Sequence, residues 1–484
     1  MTRASMRIRA ILPAAVALAA AAGCSDLTVP DFQNPPLEEL LTNPTEALVL
    51  SAATGVLQGS RQDADTYVRW GGHTGREGYF LDPNESRYVR NLYAGNPAAT
   101  NFTGSSYWTT PYRNIRTANI LIAALDHPNV ALSAADESAI RGFAKTIQAL
   151  DYYQILVTRE KIPVMVNVPL DSITAPAPIA ERAAAWAFIS ALLDAGRTDL
   201  AAGGGSFPFP MPSGVTQFGF NTPAKFLQFN RALKARVEVN RARVANSGTT
   251  FDAGAYTAAL TALGQSFIQS DITTTDPMSD RSKLHIGVYQ TYSAGAGDTP
   301  NTLNDPSGKT VADSTLIDLA QSNGAGQMDA RARYKTEQGS LNIVSSLGSN
   351  LRFTIYSYRP FYGAGGQASP IPMIRNEELI LLRAEARWFT GDMTGAMADL
   401  NNVRANSGGL GAIGTPATDA EFITALLYER RYSLLFEGSH SWNDYRRFDR
   451  LPILQAMATK RSGGAASNIA RWLPLPSNET LPRS

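Results

Sequence analysis

The chain has one cysteine, Cys24, and four histidines. That excludes an internal disulfide framework, a Cys-rich zinc site and a CxxC redox pair, and it leaves little raw material for a metal centre. Neither charge is in surplus: 43 Lys+Arg stand against 42 Asp+Glu, a net of +1. Without a basic excess to grip phosphates, nucleic acid is excluded as the main ligand. After the first two dozen residues no segment offers 18 continuous apolar positions, so no later stretch reads as a membrane span. What the chain does have is 484 residues with 44% hydrophobic content, an ordinary share for a packed globular body and too high for wholesale disorder.

The N-terminus reads as an export signal. Arg3, Arg7 and Arg9 precede an apolar run from Ile11 to Ala22, about 18 Å of helix against the ~30 Å of a bilayer core. The run closes in Ala21-Ala22-Gly23-Cys24, which resembles a bacterial lipobox, where the cysteine sulfur takes a diacylglycerol. Ala21 stands where Leu is usual. Cys24 is therefore the expected lipidation site and the first residue of the mature chain, with palmitate among its acyl chains. Three acyl chains anchor stably, since each buried methylene contributes roughly 0.8 kcal/mol. Residues 1–23 are the signal peptide, 24–42 a lipidated tether carrying Pro30, Pro35 and Pro36, and 43–484 a single domain.

Most of that domain reads as amphipathic helix. Asn43, Pro44 and Glu46 give a cap, a first-turn proline and a first-turn acid; Val49, Ala52, Ala53, Val56 and Leu57 supply the apolar stripe. Further stripes run through Trp108, Tyr112 and Ile115, through Ile140, Phe143 and Ile147, through Trp186, Ile189 and Leu193, and through Phe226, Phe229 and Leu233. Near the C-terminus helices are expected over roughly 374–389, 393–405 and 418–437, the last opened by the capping box Thr418-x-x-Glu421. Ala384, Ala396, Leu400 and Val403, with Gly391-Asp392 between helices, approach the small-small-large-small pattern of a tetratricopeptide repeat. The expected fold is mainly α: a tetratricopeptide-like scaffold of helical hairpins with two large irregular insertions that contain short β-strands.

The insertions lie near 63–105 and 270–373, and both are rich in rings and in residues that favour turns. Leu351, Phe353 and Ile355 alternate with polar neighbours as a short strand. Trp70, Tyr79, Tyr93, Tyr289, Tyr292, Tyr356 and Tyr358 fall off any helical stripe. Two readings stand side by side. The rings pack the loops onto the scaffold, or they form a platform on which the apolar faces of sugar rings stack, with Asn84, Asn91, Asn101, Arg69 and Arg76 for the hydroxyls.

Catalytic motifs are scarce. Glu378, Glu385, Glu429 and Glu437 could supply the carboxylate pair of a glycosidase, but they sit among Arg375, Arg383, Arg430, Arg446 and Arg447 and read better as ion pairs between helices. Gly308-Lys309-Thr310 has the tail of a phosphate loop, with Leu303 where its first glycine is required; Gly409 to Gly414 spells GxGxxG but follows a helix. His73, His127, His285 and His440 are scattered and read as surface or loop residues.

Residues 370–450 carry the clearest resemblance. Ile374-Arg375, Glu378, Leu382-Arg383-Ala384-Glu385-Ala386 and Asn402-Val403-Arg404, then Glu429-Arg430, Glu437-Gly438, Asp444 and Arg447, resemble the signature blocks of the SusD/RagB family. Ser433 and His440 depart from it, standing where an acid and an arginine are usual, and Asp444 falls one residue late. Trp472-Leu473-Pro474-Leu475-Pro476 is similar to the family's terminal turn. The resemblance implies a non-enzymatic outer-membrane lipoprotein facing the cell exterior. It would bind an oligosaccharide or similar nutrient, need no cofactor, and deliver its ligand to a SusC-like TonB-dependent transporter. The alternatives are a repeat scaffold that binds only protein and a glycoside hydrolase.

Overall fold

The computed structural model describes residues 37–80, 82, 84–100, 107–164, 177–243, 250–293, 295, 298–304, 310–338, 342–343, 352–353, 356–358, 366–462 and 468–480. Cys24, the signal peptide, most of the tether and Asn101 lie outside them.

In chain order the elements begin with helices α1 (Leu37–Thr42), α2 (Glu46–Arg61) and α3 (Ala64–Thr74), strand β1 (Gly78–Phe80) and a π-helical turn (Tyr88–Tyr93). Next come α4 (Thr109–Ala124), α5 (Ala134–Thr158), β2 (Ile162–Pro163), β3 (Ile179–Ala180), α6 (Arg182–Ala202), α7 (Ser213–Thr216), α8 (Pro223–Arg241) and α9 (Ala253–Gly264). The second insertion holds β4 (Gly287–Gln290), β5 (Thr310–Ala312), α10 (Thr315–Asp318), α11 (Ala330–Lys335), β6 (Thr336–Gln338), β7 (Asn342–Ile343), β8 (Arg352–Phe353), β9 (Tyr356–Tyr358) and β10 (Ile371–Arg375). The chain closes with α12 (Asn376–Phe389), α13 (Met393–Asn406), α14 (Asp419–Ser433), α15 (His440–Arg447), α16 (Leu451–Ser462) and α17 (Ser477–Thr480).

The helical hairpins form a continuous stack. α2 packs on α4, α5 on α6, α8 on α9 and α12 on α13, and each pair touches the next through α4–α5, α6–α8 and α9–α12. Among the described residues this is the tetratricopeptide-like scaffold with four pairs, the first interrupted by one insertion and the last preceded by the other. Ala384, Ala396, Leu400 and Val403 are all fully buried at the α12/α13 contact. Gly391 turns the chain at φ +93°, which only a residue without Cβ adopts easily, and the Asp392 side chain caps α13 by accepting from Gly395 N. α5 and α6 cross so closely that a Cβ on Gly142 would stand 2.8 Å from the Gly196 carbonyl oxygen.

Local chemistry sets most helix ends. Thr418 accepts from Glu421 N, while the Glu421 carboxylate reaches back to Ala417 N at 2.8 Å. α2 is a correction: its cap is Thr45, whose hydroxyl accepts from Leu48 N, and Asn43 instead accepts from the Asn129 amide at 2.8 Å. Residues 64–74 are a second correction, being helix rather than irregular insertion. Trp186 and Phe229 are fully buried and Trp108 nearly so, as their stripes require.

Candidate functional site

The two insertions join in one four-stranded antiparallel sheet of order β1-β5-β9-β6, whose strands β1 and β5 are more than 200 residues apart in sequence. Tyr79 pairs with Val311, Val311 with Ser357, and Ser357 with Glu337. Arg76 pins the start of this region to the C-terminal segment. Held at φ +55°, it donates to His73 O, Tyr93 O and Asn468 O at 2.7–3.0 Å.

The aromatic residues of the insertions form a second hydrophobic cluster: Trp70, Tyr79, Tyr88, Leu92 and Tyr93 with Val311, Trp442 and Leu473. Trp70 stacks on Tyr88 at 5.4 Å and 6°, and Tyr79 meets Tyr93 edge-on at 5.1 Å. Phe80 N donates to the Tyr93 hydroxyl at 2.6 Å. Trp70 is 3% exposed, Tyr79 3% and Tyr93 1%. Tyr289 is fully buried on β4, paired with Pro372, and Tyr292 donates its hydroxyl to Arg61 O. These five rings have protein against their faces and build the support of the region; an open stacking surface is not what they present. Tyr356 and Tyr358 lie on β9, an interior strand of the sheet, with side chains outside the described set. At the rim stand half-buried Phe80 and exposed Asn84, while Asn91 donates weakly to Asn96 O and Arg69 pairs with Asp65 at 3.8 Å.

Along one edge of this cluster runs an open groove of about 620 Å³, lined by Gly95–Pro97, Glu160, Lys161 and Ala470–Leu475. Trp472 is its ring, half-buried, with the Arg446 and Arg182 guanidinium carbons 3.7 and 4.3 Å from its centroid. Exposed Asn96, Glu160 and Arg471 ring the mouth. Trp472 was legible only as part of a terminal turn; a bulky ring between prolines and an arginine was the available signal. A wider groove of about 960 Å³ runs along α2 and α4 past Gln58, Gln62, Thr110 and Arg113. It continues into a recess of about 260 Å³ whose aromatic lining residue, Tyr289, is fully buried.

The acidic residues of the signature are all engaged. Glu378 binds Arg236 at 2.6 Å; Glu429 binds Arg331 and Arg404 at 2.6 and 2.9 Å; Glu437 binds Lys335 and Arg375 at 2.6 Å. Glu385 takes both Arg447 Nη groups. Arg383 pairs with Asp399 and Arg430 with Asp444, each at 2.6 Å. Each pair ties one element to another; Glu437 also lines a small recess with Tyr67, Tyr153, Arg236 and His440, but it stays paired with Lys335 and Arg375 there. Ser433 fills its departure from the signature by accepting from Arg331 at 3.0 Å. His440, at the other, is held down to about pKa 4 by burial, with Arg236 and Arg430 adding to the effect. His73 and His440 are buried on helices, a correction to their reading as surface or loop residues, while His285 lies in a turn as read but is also buried. No group of metal-ligating side chains occurs among the described residues. The GxGxxG segment 409–414 is the loop between α13 and α14, and no described helix is long and apolar enough to cross a membrane.

Residues 331–472 match the model of the SusD family. The fold is that of SusD superfamily structures. A SusD superfamily protein from Bacteroides vulgatus is similar over 90% of this chain and 96% of its own, at TM-score 0.65 and 14% identity. A laminarin-binding SusD-like protein is similar over 90% and 97%, at TM-score 0.56 and 16% identity. A structure described as containing a xylogluco-oligosaccharide is similar over 85% of each chain, at TM-score 0.58 and 14% identity. No curated protein matches the sequence.

Proposed function

Starting from a SusD-family signature on a SusD-like fold, we propose that this protein is a lipid-anchored receptor at the outer membrane that captures an oligosaccharide and hands it to a TonB-dependent transporter without cleaving it. The observation that carries the reading is the groove beside the joined insertions. It places a half-buried indole, with the Arg446 and Arg182 guanidiniums against its ring, next to Asn96, Glu160, Lys161 and Arg471, an aromatic among convergent polar groups of the kind that saccharide sites use. Asn101, Tyr356 and Tyr358, candidates from the sequence, are proposed as further ligand contacts. Anchoring rests on the signal peptide and on Cys24, the only thiol. The absence of cleavage is supported by the carboxylates of the signature, which are occupied by arginine or lysine rather than free as a glycosidase requires.

A glycan array probed with the purified protein tests the reading. The expected result is saturable binding to at least one oligosaccharide class and no release of reducing ends. Trp472→Ala and the surface variant Asn96→Ala should each weaken binding by about tenfold or more, while thermal unfolding of Asn96→Ala stays unchanged. An array without binding, together with capture of protein alone, would favour a repeat scaffold. Palmitate labelling lost in Cys24→Ser checks the anchor, and co-purification of a barrel transporter checks the partner.

A further inference from the structure

The first insertion meets the C-terminal block at a joint that holds two incompletely paired buried groups. His73, in the last turn of α3, is fully buried, and among the described residues neither of its ring nitrogens has a hydrogen-bond partner. Its neighbours are rings: Tyr88, Tyr93 and Phe436 meet it edge-on, with centroids 6.1–6.4 Å away. Glu77 is 1% exposed; its Oε2 accepts from Phe436 N at 3.0 Å, and its Oε1 has no partner among the described residues. Buried polar atoms are paired in most folds, because a bare one forfeits its hydration.

Phe436 links the two groups. It lies in the loop between α14 and α15 at φ +52°, a left-handed conformation that costs a bulky residue energy and needs surrounding packing to hold it. Its ring occupies the space that a Cβ on Gly72 or Gly78 would enter, at 2.7 and 2.6 Å. Glu77 N donates to Gly72 O and Asp313 N to Glu77 O, at 2.8 and 2.9 Å, so the backbone of Glu77 stands at the root of the β1–β5 ladder. The charges facing each group are few. Arg69 and Arg76 stand by His73, with Tyr88 and Tyr93 as its other titratable neighbours; burial, helped by the two arginines, holds the imidazole well below its ordinary range. Around Glu77 are Lys335 of α11, Arg431 of α14 and Asp313 after β5; burial outweighs the two cations and the amides of Phe436 and Ser441, and pushes the carboxyl up to about 8.

We propose that His73, Phe436 and Glu77 form a proton-controlled latch: with the imidazole neutral and the carboxyl protonated the first insertion is seated on the C-terminal block, and charging either group releases it locally while the helical stack stays folded. The latch concerns the seat of the insertion, whatever ligand its face takes. Once released, His73 takes up its proton below about pH 6.5, so acid favours release. Glu77 when released ionises above about pH 4.5, so release also grows as pH rises from there to about 8. The two arms place the tightest seating at about pH 5.5, with the open population about tenfold higher at pH 8 and about threefold higher at pH 4.

The test is hydrogen exchange of the purified protein by mass spectrometry from pH 4 to 8, corrected for the intrinsic exchange rate. Peptides covering residues 76–93 and 434–439 should show that minimum and both rises, while α5 and α8 keep their protection throughout. Glu77→Gln, whose amide oxygen can still accept from Phe436 N, should lose the alkaline rise. His73→Leu should lose the acid rise and, with two bare nitrogens removed, should hold or raise the melting temperature at pH 7. A wild-type profile without either rise overturns the latch. So does a rise that survives in the variant designed to remove it, or one that α5 and α8 share, since the opening is then global. A melting temperature several degrees lower in a folded His73→Leu also overturns it, because the ring nitrogens are then satisfied. If either variant fails to fold, the wild-type profile of the two peptides against α5 and α8 decides alone.

Discussion

Replacing Arg447 by Met isolates the role of the signature's buried charges. Glu385 is fully buried on α12 and receives both Nη groups of Arg447 from α15, with a further hydrogen bond from the Tyr256 hydroxyl at 2.8 Å. In the variant the carboxylate keeps only the phenol, while Asp444 keeps Arg430 at 2.6 Å. Stranding one buried ion of a pair costs about 3–5 kcal/mol, whereas replacing both by apolar groups is often near neutral. A chain of this length has an unfolding entropy of about 1 kcal/mol/K, so the melting temperature should fall by about 4 °C. Arg447→Met/Glu385→Leu should recover more than half of that, since Tyr256 still accepts from Arg243 at 2.9 Å. Denaturant titration of the wild type, both single variants and the double variant measures the coupling directly. A loss below about 1 kcal/mol in Arg447→Met would refute the reasoning, as would a double variant as damaged as the sum of its parents. Either result would mean that the pair is already hydrated, and the acids of the signature would again be available for chemistry.

Three further predictions concern buried positions. Glu77 is pushed up to about 8 by burial, against Phe436 N, Lys335 and Arg431, which favour its charged form. It is therefore protonated in the fold and ionised when unfolded, so stability should be lost as pH rises from about 4.5 to 8, and Glu77→Gln should flatten that decline in urea titrations across pH. A variant with the same alkaline slope as wild type would disprove it. His440 acts in the opposite direction: neutral in the fold down to about 4, it should cost stability as pH falls from 6.5 towards 4, by up to about 3 kcal/mol, and His440→Gln should remove that arm. Gly142→Ala would press a methyl onto the Leu200 nitrogen and the Gly196 carbonyl oxygen, both within 2.8 Å. It should destabilise by about 1–3 kcal/mol, and an unchanged denaturation midpoint would show that the α5/α6 crossing can spread freely.

What the sequence made legible follows covalent spacing. The stripe Ala384, Ala396, Leu400 and Val403 predicted its own burial because helix geometry fixes which residues share a face, and Thr418 with Glu421 predicted a cap because both partners lie within one turn. The ion pairing of the acids was legible for a related reason: four carboxylates among so many arginines have partners whichever way the helices cross. The insertion rings failed for the converse reason. Trp70, Tyr79 and Tyr93 pack partly on one another and on Tyr88, but the cover that buries them is completed by Val311, Trp442 and Leu473, hundreds of positions away. One local signal was present. Ala64, Tyr67, Val68 and Gly71 recur at helical spacing and are all buried on α3, but Gly71-Gly72 masks the helix. Those glycines are there because Ser439 and Phe436 press against the helix, leaving no room for a Cβ. The surroundings of Trp472 were hidden in the same way, since the guanidiniums against its ring come from Arg182 and Arg446 on other helices. Aromatic content alone therefore could not separate support from contact surface in this chain. The separating quantity is how much surface distant segments leave uncovered, and by that measure half-buried Trp472 has more to offer a ligand than the five buried rings of the insertions do.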